Sequence, residues 1–305
     1  MPSPRRKRLL ALIAFASALG LLWVWPARRN YYFKRDGVVR RLDLPYTTAS
    51  ADPKRQLDLY LPRAARPDAR PAPVVVFVHG GYWSPLDRRW LQPLTGAFGN
   101  VGVAFARRGI VAAVISYRQY PLVRRGDDSL DDVAAAIRFV RASCPSWGCD
   151  PGRVFVVGHS AGGHLASLLA MDGRILRRNG LDPEAIGGFV SIDGLFDLRA
   201  ALAAFKPEQA DIVRQLFGPD DASLAAHSTI SYARAQHPPM LFVDSTGDER
   251  VCLDGFRRMR TRMAEVGSPA RFVELAGLGH NEAILGLDGD GDPLMPALLD
   301  LIRPR

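Results

Sequence analysis

The sequence predicts an α/β domain: a mostly parallel, doubly wound sheet of about eight strands with helices on both faces and a small helical cap. Three features point there. From Pro73 onward, short apolar bursts alternate with longer polar-apolar segments. The bursts are rich in β-branched residues and lack a polar face, as expected of strands covered on both sides. Between them, apolar residues recur at helical spacing, as at Val133, Ile137 and Val140.

The N-terminal segment stands apart. Residues 1–41 hold ten Lys or Arg against Asp36 alone, so the formal charge of +9 on this 305-residue chain belongs to its beginning, and the remainder balances 30 basic with 30 acidic residues. A neutral body offers no footprint for a polyanion, so a nucleic-acid partner is not expected. After Arg5-Arg6-Lys7-Arg8 comes an uncharged run of 17 residues, Leu9 to Trp25, which would rise about 26 Å as a helix, the short end of the spanning range. Trp23 and Trp25 suit a headgroup boundary, with Arg28 and Arg29 beyond it. Ala16-Ser17-Ala18 offers small residues for signal cleavage, although the apolar run continues past them. Residues 1–30 are therefore expected to be a membrane anchor, with the domain 31–305 on the extracytoplasmic side; the alternative is a cleaved signal that leaves a secreted or periplasmic protein. Basic residues flank the run on both sides, so the positive-inside rule orients it only weakly.

The elements of the domain follow in order. Residues 30–72 are polar and rich in Pro and Arg around an alternating segment, Gln56 to Leu61, which suggests one or two edge strands. Strands are expected at Val74–Val78, Val111–Ser116, Val154–Val157, Phe189–Ile192, Met240–Val243 and Arg271–Leu275, with helices over Ser129–Val140 and His164–Met171. Residues 197–236 interrupt the alternation with a long, helical composition and are expected to form a cap. Cys144 and Cys149 flank Pro145 and Gly148 closely enough to close a disulfide in an oxidising compartment. Cys252 reads as a small buried side chain. Without a CxxC or His/Cys cluster, no metal site is expected.

The chemistry concentrates in three places. Gly158-His159-Ser160-Ala161-Gly162 is a G-x-S-x-G lying between an expected strand and an expected helix; such a sharp turn exposes the serine hydroxyl, and its glycines permit close chain packing. A serine hydroxyl is a weak nucleophile until a base takes its proton. Of the six histidines only His280 follows the last expected strand, in Gly277-Leu278-Gly279-His280. His159 and His164 read as packing residues of the turn, His227 and His237 fall in or near the cap, and His79 belongs to another motif. An acid should follow the strand at Met240–Val243, where Asp248 is the leading candidate to orient His280, with Asp244, Glu249 and Asp254 as neighbours able to compete. Finally, His79-Gly80-Gly81-Tyr82-Trp83 follows the strand at Val74–Val78. Its glycine amides, with the amide of Ala161, are expected to form an oxyanion hole from Gly80, Gly81 and Ala161.

With Ser116-Tyr117-Arg118, Asp131-Asp132-Val133 and Cys149-Asp150-Pro151 added, these motifs resemble the bacterial esterase and lipase branch of the α/β-hydrolases, which includes hormone-sensitive-lipase-like carboxylesterases and kynurenine-formamidase-like enzymes. The resemblance runs in order over residues 55–303. It implies an α/β-hydrolase fold and cofactor-free hydrolysis of a small-molecule carboxylic ester, or sometimes an amide, through an acyl-enzyme, with Ser160, Asp248 and His280 as the triad. It also implies structural rather than catalytic roles for Tyr117, Arg118 and Asp132. Tyr82 replaces a third glycine common after His-Gly-Gly, which leans towards the formamidase and small-esterase side, and Asp244 stands where relatives commonly carry a His-Gly pair. Tyr82, Trp83, Phe196 and Phe217 are expected to line the substrate pocket. Two other readings use the same residues: an amidase or peptidase, and a membrane-tethered binding protein that has lost catalysis.

Overall fold

The structure, a computed structural model, describes residues 25–32, 37–47, 52–63, 70–90 and 94–303. The expected membrane run lies outside them except for Trp25; among the described residues no helix is long and apolar enough to cross a membrane.

Residues 25–32 form a helix, α1. Its Ala27, Asn30 and Tyr31 share one face at helical spacing and are buried. Asn30 Nδ2 donates to the Leu287 carbonyl at 2.6 Å, Ala27 packs with Ala97 and Leu285, and Tyr31 fills the space where Cβ atoms at Gly96 and Gly99 would stand. The boundary expected at residue 30 thus runs through a helix that is built into the domain.

Eight strands form one sheet in the order β1-β2-β4-β3-β5-β6-β7-β8. Strands β1 (Val38–Pro45) and β2 (Gln56–Pro62) stand where one or two edge strands are expected and pair antiparallel, and β2 pairs antiparallel with β4 (Val111–Ile115). All later pairs are parallel: β3 (Ala72–Val78), β5 (Cys149–His159), β6 (Gly188–Ile192), β7 (Met240–Ser245) and β8 (Arg271–Leu275). Val74 to Val78 are wholly buried, as their two-sided cover requires. One side carries α3 (Gly126–Trp147), α4 (Ala161–Met171), α5 (Gly173–Arg178) and α9 (Arg250–Glu265). The other carries α1, α2 (Gly99–Ala106), α10 (Glu282–Leu285) and α11 (Leu294–Ile302). This is the α/β-hydrolase fold. The expected helix at 129–140 extends by three residues at its start, where Asp127 and Asp128 favour the positive helix end, and by seven at its finish, up to Gly148 at φ 72°. A disulfide joins Cys144 to Cys149 across that glycine.

Between β6 and β7, residues 197–236 hold three short helices, α6 (Leu198–Leu202), α7 (Pro207–Phe217) and α8 (Asp221–Ala226). The side chains of Asp197 and Asp220 accept from Ala200 and Ser223 N–H at two of their starts. Register places Val78, Ile115, Gly158, Ser191 and Phe242 side by side. The loops after β3, β5, β7 and β8 therefore open on the same edge of the sheet, where such folds bind their ligands.

Candidate active site

Ser160 is the single residue between β5 and α4, and its backbone sits at φ 56°, ψ −123°. An L side chain pays about 1–3 kcal/mol for such a conformation, so the surroundings must enforce it. Ser160 N–H donates to the Ile192 carbonyl at 2.8 Å, and its own carbonyl accepts from His164 N–H at 3.0 Å. The motif glycines follow from contact. A Cβ at Gly158 would lie 2.1 Å from the Gly162 carbonyl oxygen, and one at Gly162 would lie 2.1 Å from that of Val78.

His280 lies beyond β8, with Nε2 2.9 Å from Ser160 Oγ and Nδ1 2.7 Å from Asp248 Oδ1. Two contacts tie the acid loop to the base loop: Gly247 N–H to Leu278 O, and Gly277 N–H to Thr246 Oγ1. The competing acids are placed otherwise. Asp244 is within β7, its Oδ1 buried without a partner among the described residues. Glu249 accepts from Tyr82 Oη at 2.7 Å, and Asp254 is paired with Arg250 and Arg257 on the surface of α9. Burial works against a charge on His280, but the hydrogen bond and charge of Asp248, with Asp193 and Glu249 behind, raise its pKa above 6.5. Burial, then the charge of Asp248, pushes the carboxyls of Asp193 and Asp244 up to about 8 and about 7.

The loop after β3 lies against the nucleophile, since a Cβ at Gly80 would stand 2.8 Å from Ser160 Cβ. Three successive carbonyls there are held. Tyr117 Oη donates to His79 O at 2.9 Å, His79 Nδ1 donates to Gly80 O at 2.8 Å, and Ser84 N–H and Oγ–H donate to Gly81 O. Holding each carbonyl fixes its peptide plane, and hence the direction of the amides. Ala161 opens α4, where first-turn amides lack helical partners. Arg118 grips Asp132 with two bonds, at 2.8 and 2.9 Å, which braces the Tyr117 segment. Gly80→Ala is expected to lower kcat by about 10²- to 10³-fold, the cost of displacing one oxyanion donor, while the circular dichroism spectrum stays native. Wild-type kcat in that variant would remove Gly80 from the site.

Beside Ser160 a cavity of about 260 Å³ opens, lined by Tyr82, Leu86, Trp90, Phe98, His159 and His280 among others. Of the four aromatics expected to line it, only Tyr82 does. Trp83 and Phe217 pack edge-on with each other and with His164, and both are buried. Phe196 is buried edge-on against Phe242. Their burial belongs to the seam between cap, α4 and sheet, not to the cavity. Leu86, Trp90 and Phe98 carry no motif, and no sequence signal marks them. Tyr82 also meets Phe205 edge-on, linking the cavity wall to the α6–α7 connection.

Among the described residues, the groups able to ligate a metal draw on the same side chains: His159, Asp193 and His280; Asp248, Cys252 and His280; and Asp193, Asp244 and Asp248. Both ring nitrogens of His280 are already engaged by Ser160 and Asp248, and His159 Nε2 faces a carbonyl.

The fold and this arrangement define a carboxylesterase-like α/β-hydrolase. The BD-FAE family model matches residues 57–263, and the chain belongs to that family. It is 25% identical over 276 residues to a probable isoprenylcysteine alpha-carbonyl methylesterase of Arabidopsis thaliana, covering 84% of this chain and 54% of the relative. It is also 27% identical over 176 residues to the kynurenine formamidase of Danio rerio, covering 57% of this chain and 53% of the relative. The chain thus spans about half the length of these curated relatives. Among solved structures, esterase B of Lactobacillus rhamnosis superposes with a TM-score of 0.75 at 20% identity, covering 96% of each chain, a likeness of fold.

Proposed function

We propose that this protein is a serine carboxylic-ester hydrolase that acts through an acyl-enzyme on small to medium acyl esters. The observation that carries the reading is the unbroken chain from Ser160 Oγ through His280 to Asp248, set beside the Gly80 and Gly81 amides. Ser160 attacks the ester carbonyl as His280 takes its proton, and the oxyanion rests on the Gly80, Gly81 and Ala161 amides. His280 then protonates the leaving alcohol, and water repeats the steps to free the acid. A cavity of about 260 Å³ is just below the usual range for ligand pockets, which supports short acyl groups. The relatives' names point to a methyl ester and a formamide, so an amide is the second substrate class to test.

The test is turnover of p-nitrophenyl esters from C2 to C12 together with fluorophosphonate labelling mapped by peptide mass. A short-chain optimum and an adduct on Ser160 are expected. A folded protein that neither turns over esters nor takes the label would sink the reading and leave the binding-protein alternative.

Because attack requires neutral His280, and its pKa is raised above 6.5, kcat/KM should climb with pH through a midpoint above 6.5. A midpoint below 6.5 in the pH profile would contradict the Asp248–His280 pairing.

We further propose that residues 9–25 hold the enzyme on a membrane with its domain extracytoplasmic, cleavage near Ala18 being the alternative. The Cys144–Cys149 disulfide supports an oxidising compartment. Membrane fractionation and intact mass of the natively expressed protein decide between the two, and a soluble full-length cytoplasmic protein would refute both.

A further inference from the structure

His159, which the sequence marks only as a packing residue of the turn, has an environment that packing alone does not call for. Its side chain is buried, and Nε2 lies 2.8 Å from the main-chain carbonyl oxygen of His280, 121 residues away. The two imidazoles lie 5.0 Å apart, inclined at 44°. The carbonyl can only accept, so Nε2 carries the hydrogen and Nδ1 is the bare nitrogen; Nδ1 is buried without a partner among the described residues and lies against Gly80.

We propose that His159 is a positioning residue: by donating Nε2–H to the carbonyl of His280 it fixes the catalytic imidazole at the distance from Ser160 that proton transfer needs. This rests on the triad reading above. The base sits in a glycine-rich loop, with Gly277 at φ 74° and Gly279 one residue before it, so its backbone has little intrinsic stiffness. His159 supplies that stiffness from the residue preceding the nucleophile, and one residue thereby holds both reacting partners. The groups facing it are His280 and, at 4.0 Å from Nε2, Asp193, with His79 nearby. Burial first, and then the neighbouring His280, hold its pKa down to about 3. It therefore stays neutral through the range in which His280 titrates, so the hydrogen bond does not switch with pH.

The two side-chain amides separate a hydrogen-bonding role from a space-filling one, because glutamine can place a donor near the Nε2 position and asparagine only near the Nδ1 position. In the full chain, His159→Gln is expected to keep kcat on p-nitrophenyl acetate within about threefold of wild type. His159→Asn and His159→Leu should lose on the order of 10- to 10²-fold in kcat with KM little changed, the scale of a displacement of about 1 Å. Their acid limb should also move, as His280 shifts against Asp248. Folded Asn and Leu variants with wild-type kcat and pH profile would overturn the proposal, as would a Gln variant as slow as Leu. ¹⁵N-histidine spectra of the wild type test it without relying on a variant's folding or activity: His159 should be the neutral Nε2–H tautomer, and the Nδ1–H tautomer would overturn it. A wild type inert on esters would defeat the triad reading instead, and the tautomer would still report on the hydrogen bond.

Discussion

Ser160→Ala is expected to lower kcat on short p-nitrophenyl esters by about 10⁶-fold, the scale on which members of such a triad act as a unit. Positioning and oxyanion donors survive in this variant, so a residual rate about 10³- to 10⁴-fold above uncatalysed hydrolysis should remain. The substitution removes an oxygen from a position held by backbone bonds to Ile192 and His164, and it introduces no new atom. Thermal unfolding should therefore match wild type, and a kcat within tenfold of wild type would show that the nucleophile lies elsewhere.

The second large effect is at the acid. Asp248→Asn should lower kcat by about 10⁴-fold, because an amide at 2.7 Å from His280 Nδ1 no longer enforces the tautomer that leaves Nε2 free to accept the proton. Two more carboxyls stand close by, Asp193 and Asp244, with ligand atoms within 4.8 Å of those of Asp248. If either substituted for it, the loss would be tenfold or less, and that result would reassign the acid. The same change has an opposite effect on stability. Asp193 and Asp244 have folded pKa values raised from 3.8 to about 8 and about 7, by burial and then by Asp248. A carboxyl with a raised folded pKa costs nothing below its unfolded value, and destabilises increasingly as pH climbs from about 4 towards the folded value. Removing the Asp248 charge relieves part of that repulsion. The Asn variant should melt higher than wild type at pH 8, and lower towards pH 4, where charged His280 has lost the partner that raises its pKa; calorimetry at the two pH values checks both signs.

Much of this architecture is legible in the sequence because it is written locally. The strands at Val74–Val78 and Phe189–Ile192 are bounded by turn signals and lack a polar face, so a single run of residues suffices to place them. Ser160 is marked by glycines that its own contacts require: no larger residue at position 158 or 162 leaves room for the turn. Asp248 and His280 follow from chain order after the last strands. The cavity was not legible, because its wall is set by which side of a loop faces Ser160. Trp83 and Trp90 look alike as sequence, yet one packs into the seam under the cap and the other lines the cavity. The contact from His159 to His280 is equally hidden, since it joins two loops whose proximity only the assembled sheet creates. The cut placed at residue 30 failed for a different reason: α1 follows a long apolar run and shows its own buried face only through Ala27, Asn30 and Tyr31, too few positions to signal attachment.

That attachment governs how the domain can be held. Ala27 against Ala97 and Leu285, Asn30 on the Leu287 carbonyl and Tyr31 in the hollow made by Gly96 and Gly99 leave the chain no swivel where it enters the body. Trp90 packs on this same cluster and forms part of the cavity wall. A tether arriving at residue 25 would therefore aim the mouth of the cavity as well as restrain the molecule, presenting it at a set angle to whatever surface bears the tether. Engineered forms that interpose a flexible spacer before Trp25 would keep their turnover on dissolved esters while losing that aim.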